Sequence, residues 1–286
     1  MPSLEKNATH RCLVLAHHHP NGKLRPDTVD VISALSTVMD AIYVVSTHLN
    51  QEEVSKIGGW AQVIVRDNVG YDFYSYREGI LQIASQGMPA QVTLMNTSLV
   101  VLQPEKLLSA YFSLLDRLPN SPLALGLTRS MEHQIHLQSF LLSFNAELFN
   151  QAFFLDWWTA MTPISERQQV IEKYELGFSR YLQQHQIELR AAYAPYPKST
   201  HSWFEPGLNW FYKKILRIPF NRHQTRLNPM NWCAEDILHE FGVLKMEFLK
   251  SNPYGINTQF LKNQIDRHPE YSTYIQAALE TPASQP

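Results

Sequence analysis

The chain has 286 residues, 44% of them hydrophobic and 17% charged, with a formal net charge of -2 at pH 7. This composition can fill the core of a globular protein, and it excludes a general basic field that would recruit nucleic acid. Cys12 and Cys233 are too far apart in sequence to suggest a disulfide framework. No segment approaches the roughly 20 apolar residues that span a bilayer, so we expect a soluble, cytoplasmic protein.

The first half alternates short apolar runs with longer helical patterns, which is typical of a parallel sheet with right-handed crossovers. The predicted helices cover residues 27–40, 71–85 and 105–117. The predicted strands are CLVLAH at 12–17, AIYVVST at 41–47, AQVIVRD at 61–67, QVTLMNTS at 91–98, PLALGLT at 122–128 and HLQSFLLSFNAELF at 136–149.

Helices and aromatic loops dominate from Asn150 onward, where the aromatic residues indicate either an aromatic core or a sugar-facing surface. SERQQVIEKYELGFSRYLQQ at 165–184 predicts an amphipathic helix capped by Ser165. A short helix is predicted from about Pro229 to Phe241, followed by a strand, VLKMEFL, at 243–249. We therefore predict one continuous domain, with an α/β half at 1–150 and a helical half at 151–286.

The segment RDNVGYDFYSYREGI at 66–80 follows a predicted strand and opens a helix. Gly70 permits a tight turn close to a ligand, and Asn68 and Asp72 place hydrogen-bonding groups near the helix N-terminus. Such a junction suits a ribose, a base edge or a phosphate. The alternative is an ordinary capped turn without a ligand.

Two further polar stretches are candidates for ligand binding. Asn96, Thr97 and Ser98 end an apolar strand, where the alternative is simply a polar strand end. The segment 129–139 carries Glu132, His136 and Gln138, whose chemistry suits sugar hydroxyls. His133 and His136 lack the spacing of a metal site, and we assign no metal ligand to this chain.

The segment WFYKKILRIPFNRHQTR at 210–226 interleaves basic residues with bulky apolar ones. This pattern suits the interface of an anionic membrane, where a lipid-linked acceptor would be found. An ordinary helix with an apolar inner side and solvated charges is the alternative.

In order and spacing, these motifs resemble the rhamnan synthesis F family over roughly residues 11–252. The matching segments are RDNVGYD at 66–72, NTS at 96–98 with Pro104 beyond it, GLT at 126–128, HLQSF at 136–140, YELG at 174–177 and NPMNWCAEDILHEFGVLKMEFLKSNP at 228–253.

The resemblance implies an α/β fold of GT-A type, with a Rossmann-type, mainly parallel sheet, flanking helices and a helical, aromatic-rich C-terminal part. It implies a transferase that moves a deoxyhexose, typically rhamnose from a dTDP-activated donor, onto a growing surface glycan such as lipopolysaccharide. The 1–150 half would bind the nucleotide sugar and the 151–286 half would present the acceptor.

The resemblance also assigns site residues. The donor pocket would contain Arg66, Asn68, Gly70 and Asp72, with Asn96 and Ser98 beside the diphosphate. Glu175 is the first candidate for the base that deprotonates the acceptor, followed by His136. Candidates for acceptor binding are Gln138, Glu132 and Lys245.

The chain departs from the family pattern at one position. Thr97 stands where the family usually has an Asp between the matching Asn and Ser. A Mg²⁺ or Mn²⁺ ion would lack its usual anionic ligand there, which leaves open a donor held by side chains such as Arg66 or Lys245.

The sequence thus predicts an inverting glycosyltransferase that acts on a surface polysaccharide or its lipid-linked precursor, at the inner face of the cell membrane if 210–226 binds lipid. A non-catalytic subunit that binds a sugar nucleotide or glycan is the alternative. A hydrolase is the weakest choice, because no nucleophile elbow or paired-carboxylate signature is present.

Overall fold

The strands of the protein follow the predicted apolar runs closely. The computed structural model describes residues 10–87, 89–195, 227–250, 269 and 271–272. The strands in this part of the chain are β1 Arg11–His17, β2 Ala41–Ser46, β3 Gln62–Val65, β4 Gln91–Asn96, β5 Leu99–Val101, β6 Leu123–Ser130, β7 His136–Leu137, β8 Leu141–Asn145, β9 Glu188–Tyr193 and β10 Val243–Lys245.

The helices connect the strands and cover the sheet. Two of the helical stretches contain a π-helical segment, Leu108–Phe112 between α4 and α5 and Ile171–Leu176 between α8 and α9. The α-helices are α1 Pro26–Leu35, α2 Gln51–Ile57, α3 Tyr71–Gln86, α4 Pro104–Leu107, α5 Ser113–Leu115, α6 Ala146–Phe149, α7 Ala152–Thr159, α8 Arg167–Val170, α9 Gly177–Gln184, α10 Pro229–Trp232, α11 Ala234–Phe241 and α12 Met246–Lys250.

The main sheet has eight strands in the order β3-β2-β1-β4-β8-β6-β7, with β9 also paired to β6. The first four of these strands are parallel, β8 is antiparallel to both β4 and β6, and β9 is parallel to β6. A separate two-stranded sheet joins β5 to β10. The predicted α/β fold with a mainly parallel sheet and flanking helices is confirmed.

Apolar residues on both faces of the sheet explain why its strands read as continuous apolar runs. In β1, Leu13 and Leu15 belong to the core on one face, while Val14 and Ala16 belong to the core on the other. Helix α3 packs closely on β1, because a Cβ atom added to Gly79 would lie 2.3 Å from Cγ1 of Val14. This contact fixes the helix that begins at the candidate site.

Much of the aromatic content after Phe140 forms a core. Phe154, Trp158 and Phe178 are almost fully buried against Phe144 of β8. The ring centroids of Phe144 and Phe154 are 5.0 Å apart, and those of Trp158 and Phe178 are 5.2 Å apart. Of the two predicted uses of these residues, the structure supports the aromatic core.

The predicted cap of the long helix is wrong. Helix α8 begins at Arg167, its N-cap is Glu166, and no side chain caps it. Ser165 lies one residue too early, and its carbonyl oxygen accepts a hydrogen bond of 3.2 Å from the hydroxyl of Tyr71. This bond ties the helical layer to the start of α3.

Two predicted strands are shorter than expected. The segment 136–149 is divided into β7 and β8, and Asn145 then caps α6 by accepting from the backbone N–H of Leu148. In 243–249 the strand ends at Lys245, because β10 pairs with only the three residues of β5. The chain continues as α12.

Candidate active site

A cleft of about 650 Å³ opens at the carboxyl ends of β1 and β4, where the strand order of the sheet reverses. Ligands of open α/β sheets bind at such a reversal. The start of α3, the π-helical segment before α9 and the segment from β10 to α12 complete its walls. The predicted site residues that line the cleft are Asp72, Asn96, Ser98, Glu175 and Lys245.

The loop before α3 is shaped by its own residues. Gly70 has a φ of 72°, in the left-handed region that favours glycine, and a Cβ atom there would lie 2.7 Å from that of Tyr74. The Arg66 guanidinium donates to the carbonyl oxygens of Asp67 at 2.6 Å, of Tyr71 at 2.6 Å and of Val69. Arg66 therefore holds the loop in shape.

Asp72 and Asn96 meet in the cleft, as their positions at the same sheet edge predicted. The side-chain amide of Asn96 donates to Oδ2 of Asp72 at 2.8 Å. Oδ1 of Asn96 accepts from the backbone N–H of Ser98 at 3.1 Å and from its hydroxyl. Since Asn96 is almost fully buried, these bonds fix the turn after β4 against the beginning of α3.

The carboxyl group of Asp72 has an unusual protonation equilibrium. The pKa of Asp72 is raised from 3.8 to about 6, chiefly by burial, and the nearby negative charge of Glu175 acts in the same direction. The positive charges of Arg66 and Arg167 and the hydrogen bond from Asn96 act in the opposite direction. Groups with such shifted pKa values in a cleft are often functional.

Glu175 is held in a defined position on the opposite element. Its Oε1 accepts from the backbone N–H of Ser139 at 2.9 Å and from the Ser139 hydroxyl at 3.0 Å. Glu175 lies in the π-helical segment Ile171–Leu176, and such segments are frequent at functional sites. Because one oxygen is bound to Ser139, the carboxylate is oriented in advance, which suits a general base.

Arg25 is a cleft residue that the sequence did not reveal. It is almost fully buried, and Nε and Nη2 each donate at 2.9 Å to the carboxylate of Asp27. Its guanidinium also donates to the carbonyl oxygens of Thr97 at 2.7 Å and Leu99 at 2.8 Å. The buried ion pair thus holds the turn after β4. The only sequence signal was an Arg-Pro-Asp run at a helix start.

Basic side chains occupy much of the remaining lining. Lys245 and Lys250 come from the segment after β10, and Arg167 comes from the start of α8. His18 and His19 also line the cleft, and burial lowers the pKa of both, with a further lowering from the positive charge of Lys250. Their pKa values favour neutral imidazoles at pH 7.

Several predicted site residues lie away from this cleft. Asn68 is exposed on the loop that Arg66 holds, and neither residue lines the cleft. His136 and Gln138 are buried, with bonds to the carbonyl of Gln134 and the hydroxyl of Thr128. Gly70 and Glu132 do not line the cleft either. Gly70 is buried in its turn, and the carboxylate of Glu132 accepts a hydrogen bond of 3.0 Å from the side-chain amide of Asn228. The segment 210–226 lies outside the described residues.

The oxygen atoms at the end of β4 do not fit a hard divalent cation, which prefers carboxylate ligands. Thr97 supplies no carboxylate, and its carbonyl oxygen already accepts from Arg25. The side-chain oxygen of Asn96 accepts from Ser98, and Oδ2 of Asp72 accepts from Asn96. Within the described ranges, no three His, Cys, Asp or Glu side chains are grouped so that they could hold a metal ion.

Comparison with protein families gives one match over most of the chain. The family described as Rhamnan synthesis protein F matches residues 41–240. The uncharacterized protein y4gN of Sinorhizobium fredii (strain NBRC 101917 / NGR234) is 24% identical over 189 residues, covering 64% of this chain and 48% of that protein. The chain thus spans about half the length of the curated relative that it matches.

Some solved structures are distantly similar to this chain. The glycosyltransferase GlyE of Streptococcus pneumoniae TIGR4 covers 98% of this chain and 66% of its own, with 10% identity and a TM-score of 0.44. The mannosyltransferase PcManGT from Pyrobaculum calidifontis, solved with GDP-Man and Mn²⁺, covers 94% of this chain and 84% of its own, with 10% identity and a TM-score of 0.38. Among the described residues of this chain, none of the helices is long and apolar enough to cross a membrane.

Proposed function

The chain belongs to the rhamnan synthesis protein F family, as its motifs predicted, and we propose that it is a glycosyltransferase. Its donor would be a nucleotide-activated sugar, rhamnose or another deoxyhexose, and its acceptor a bacterial surface polysaccharide or the lipid-linked precursor. Family membership supports a role in polysaccharide synthesis. The choice of sugar, acceptor and linkage is part of the proposal.

The observation that carries this proposal is the cleft itself. At about 650 Å³ it lies within the usual range for small-molecule sites. It is bordered by polar side chains that are fixed before a ligand arrives, among them Asp72, Asn96 and Glu175. A preorganised polar site can hold an activated sugar in a reactive geometry without further rearrangement.

In the proposed reaction the acceptor hydroxyl oxygen attacks the anomeric carbon and inverts its configuration. The new glycosidic C–O bond forms as the bond to the diphosphate breaks, and the nucleoside diphosphate leaves with the bonding electrons. Glu175 takes the proton of the hydroxyl, because its carboxylate faces the cleft and is oriented by Ser139. Asp72 would hold the donor through a hydrogen bond, and Lys245 would contact the acceptor or donor phosphate.

His136 is the less favoured base in this proposal. It is buried, its Nδ1 is within 2.8 Å of the carbonyl oxygen of Gln134, and it does not line the cleft. Glu132 and Gln138 do not line the cleft, so they would contact only a part of the acceptor that extends outside it. We place the reaction on the cytoplasmic side of the membrane, with 210–226 as the segment that would contact lipid.

A second function is favoured by one observation. Thr97 stands at the position of the family's Asp, and the surrounding oxygen atoms do not fit a divalent cation. A subunit that binds a sugar nucleotide or glycan without catalysis would need no such cation. A binding protein and an enzyme would both recognise the donor, but only the enzyme would release nucleoside diphosphate.

The test has two stages. Thermal-shift titration of the protein with dTDP-, UDP- and GDP-activated sugars is expected to raise the melting temperature with at least one of them, because a bound ligand stabilises the folded state. Release of the nucleoside diphosphate is then measured with a lipid-linked acceptor. Binding without release would favour the non-catalytic subunit. No binding to any nucleotide sugar would refute the glycosyltransferase and leave only a subunit that binds a glycan.

A further inference from the structure

We infer that side-chain cations, chiefly Lys245 and Lys250, neutralise the diphosphate of the donor in place of a divalent metal ion. This inference rests on the proposed function, because it concerns the same cleft. A diphosphate carries negative charge that increases on the leaving group as its bond to the sugar breaks. A protein can offset that charge with a metal ion or with lysine and arginine side chains.

The position of Lys245 is the first support. Lys245 is paired with Leu99 in the ladder of β10 and β5, so it lies directly beside the turn that follows β4. The next backbone N–H, that of Met246, donates to the carbonyl oxygen of Ser98 at 2.8 Å. The family's Asp would lie in this turn. The chain instead places a lysine residue beside it.

The ammonium group of Lys245 also forms no ion pair with an acidic side chain among the described residues. Nζ lies 5.3 Å from the ring centroid of Phe140, another residue of the cleft wall. Within the described part of the chain, the ion pairs formed by lysine involve Lys56 alone. A lysine held against an aromatic face keeps its charge and its hydrogen-bond donors available for an anion.

Lys250 and Arg167 extend the positive side of the cleft. Lys250 ends α12, and its charge lowers the pKa of His18 and His19, which follow β1. Arg167 begins α8 and is close enough to Asp72 to lower its pKa. These cations come from separate elements that meet at the cleft. A diphosphate between them would contact charges from several sides.

Two carboxylates of the cleft already accept hydrogen bonds from the protein. Oδ2 of Asp72 accepts from Asn96, and Oε1 of Glu175 accepts twice from Ser139. Glu247 lies in the same segment as the two lysines. Arg25, although buried in the wall, uses its guanidinium on Asp27 and on backbone carbonyl oxygens. The lysines are therefore the better candidates to bind the diphosphate.

The test measures binding of dTDP, UDP and GDP by isothermal titration calorimetry, once with EDTA and once with Mg²⁺. We expect the dissociation constant of the best nucleotide to differ by less than about threefold between the two buffers. Lys245→Gln and Lys250→Gln are each expected to weaken binding about tenfold, as loss of a charged phosphate contact does. Lys173→Gln, a matched charge change on an exposed lysine outside the cleft, is the control and should bind like the wild type.

The outcomes separate this inference from the proposed function. Binding that requires Mg²⁺ would overturn the inference and leave the glycosyltransferase in place. Binding that persists in EDTA but is unchanged in both lysine variants would overturn the assignment to these residues. Absence of nucleotide binding in both buffers would overturn the proposed function and the inference together.

Discussion

Replacing Asp72 with Asn should stabilise the fold at neutral pH. A pKa that rises from 3.8 to about 6 on folding corresponds to a cost of up to about 3 kcal/mol for the charged form, at about 1.36 kcal/mol per pKa unit. The neutral amide removes this cost, and its Oδ1 can still accept the hydrogen bond from Asn96. Because Asp72 is only partly buried, we expect a gain of about 1–3 kcal/mol in the free energy of unfolding.

The pH dependence follows from the direction of the shift. Near pH 3 and below, the carboxyl group is protonated in the folded state and mostly so in the unfolded state, so the wild type carries little cost. As pH rises from about 4 to about 6, the unfolded state loses its proton first and wild-type stability falls relative to the variant. The advantage of Asp72→Asn should therefore grow between pH 4 and pH 6 and stay constant above pH 7.

Differential scanning calorimetry from pH 4.5 to pH 8 can measure this difference. The variant should melt about 2–12 °C above the wild type at pH 7.5, given about 2–4 °C for each kcal/mol in a chain of this size. Asp67→Asn, at an exposed carboxylate of the same loop, is the control and should change little at any pH. A variant that is less stable than the wild type at pH 7.5, or equally stabilised at both ends of the range, would refute the reasoning.

Three further substitutions test packing, the buried ion pair and the proposed base. Gly79→Ala should lower the free energy of unfolding in urea by about 1–3 kcal/mol, because its Cβ would lie 2.3 Å from a Val14 methyl group, whereas Gly59→Ala meets nothing within 4 Å and should be neutral. Arg25→Met should lower the free energy of unfolding by about 3–5 kcal/mol, because it leaves the buried carboxylate of Asp27 without its ion-pair partner. The double variant Arg25→Met/Asp27→Leu should recover part of that loss. An equal loss in both variants would contradict the buried-charge argument. Glu175→Gln should lower kcat by about 10²–10⁴-fold with unchanged donor affinity, and unchanged turnover would exclude it as the base.

The strands of the sheet could be predicted where both of their faces are buried. Such strands, β1 and β4 among them, read as apolar runs, so their positions were visible in the sequence. Strand β9 could not be found in this way, because ELRAAY alternates exposed and partly buried residues. Its pairing with β6 joins residues 65 positions apart, and no local pattern encodes such a contact.

The candidate site was predictable to the extent that strand ends determine it. Asp72 follows β3 and Asn96 ends β4, and the carboxyl ends of these parallel strands lie at the same edge of the sheet, so their convergence at that edge followed from the fold. The contacts of Arg66 could not be predicted, because an arginine after a strand can bind a ligand or its own loop, and the difference depends on backbone carbonyl positions. Lys250 lies far along the chain and reaches the cleft only through the pairing of β10 with β5.

The turn after β4 shows why position 97 cannot be considered by itself. Arg25 binds the carbonyl oxygens of Thr97 and Leu99 from one side, and the backbone of Met246 binds that of Ser98 from the other. The carbonyl groups of the turn are therefore used to join α1, β5 and β10, and they are not free to approach a cation. Because the same contacts bring Lys245 beside the turn, the engaged carbonyl groups and the nearby lysine belong to one arrangement.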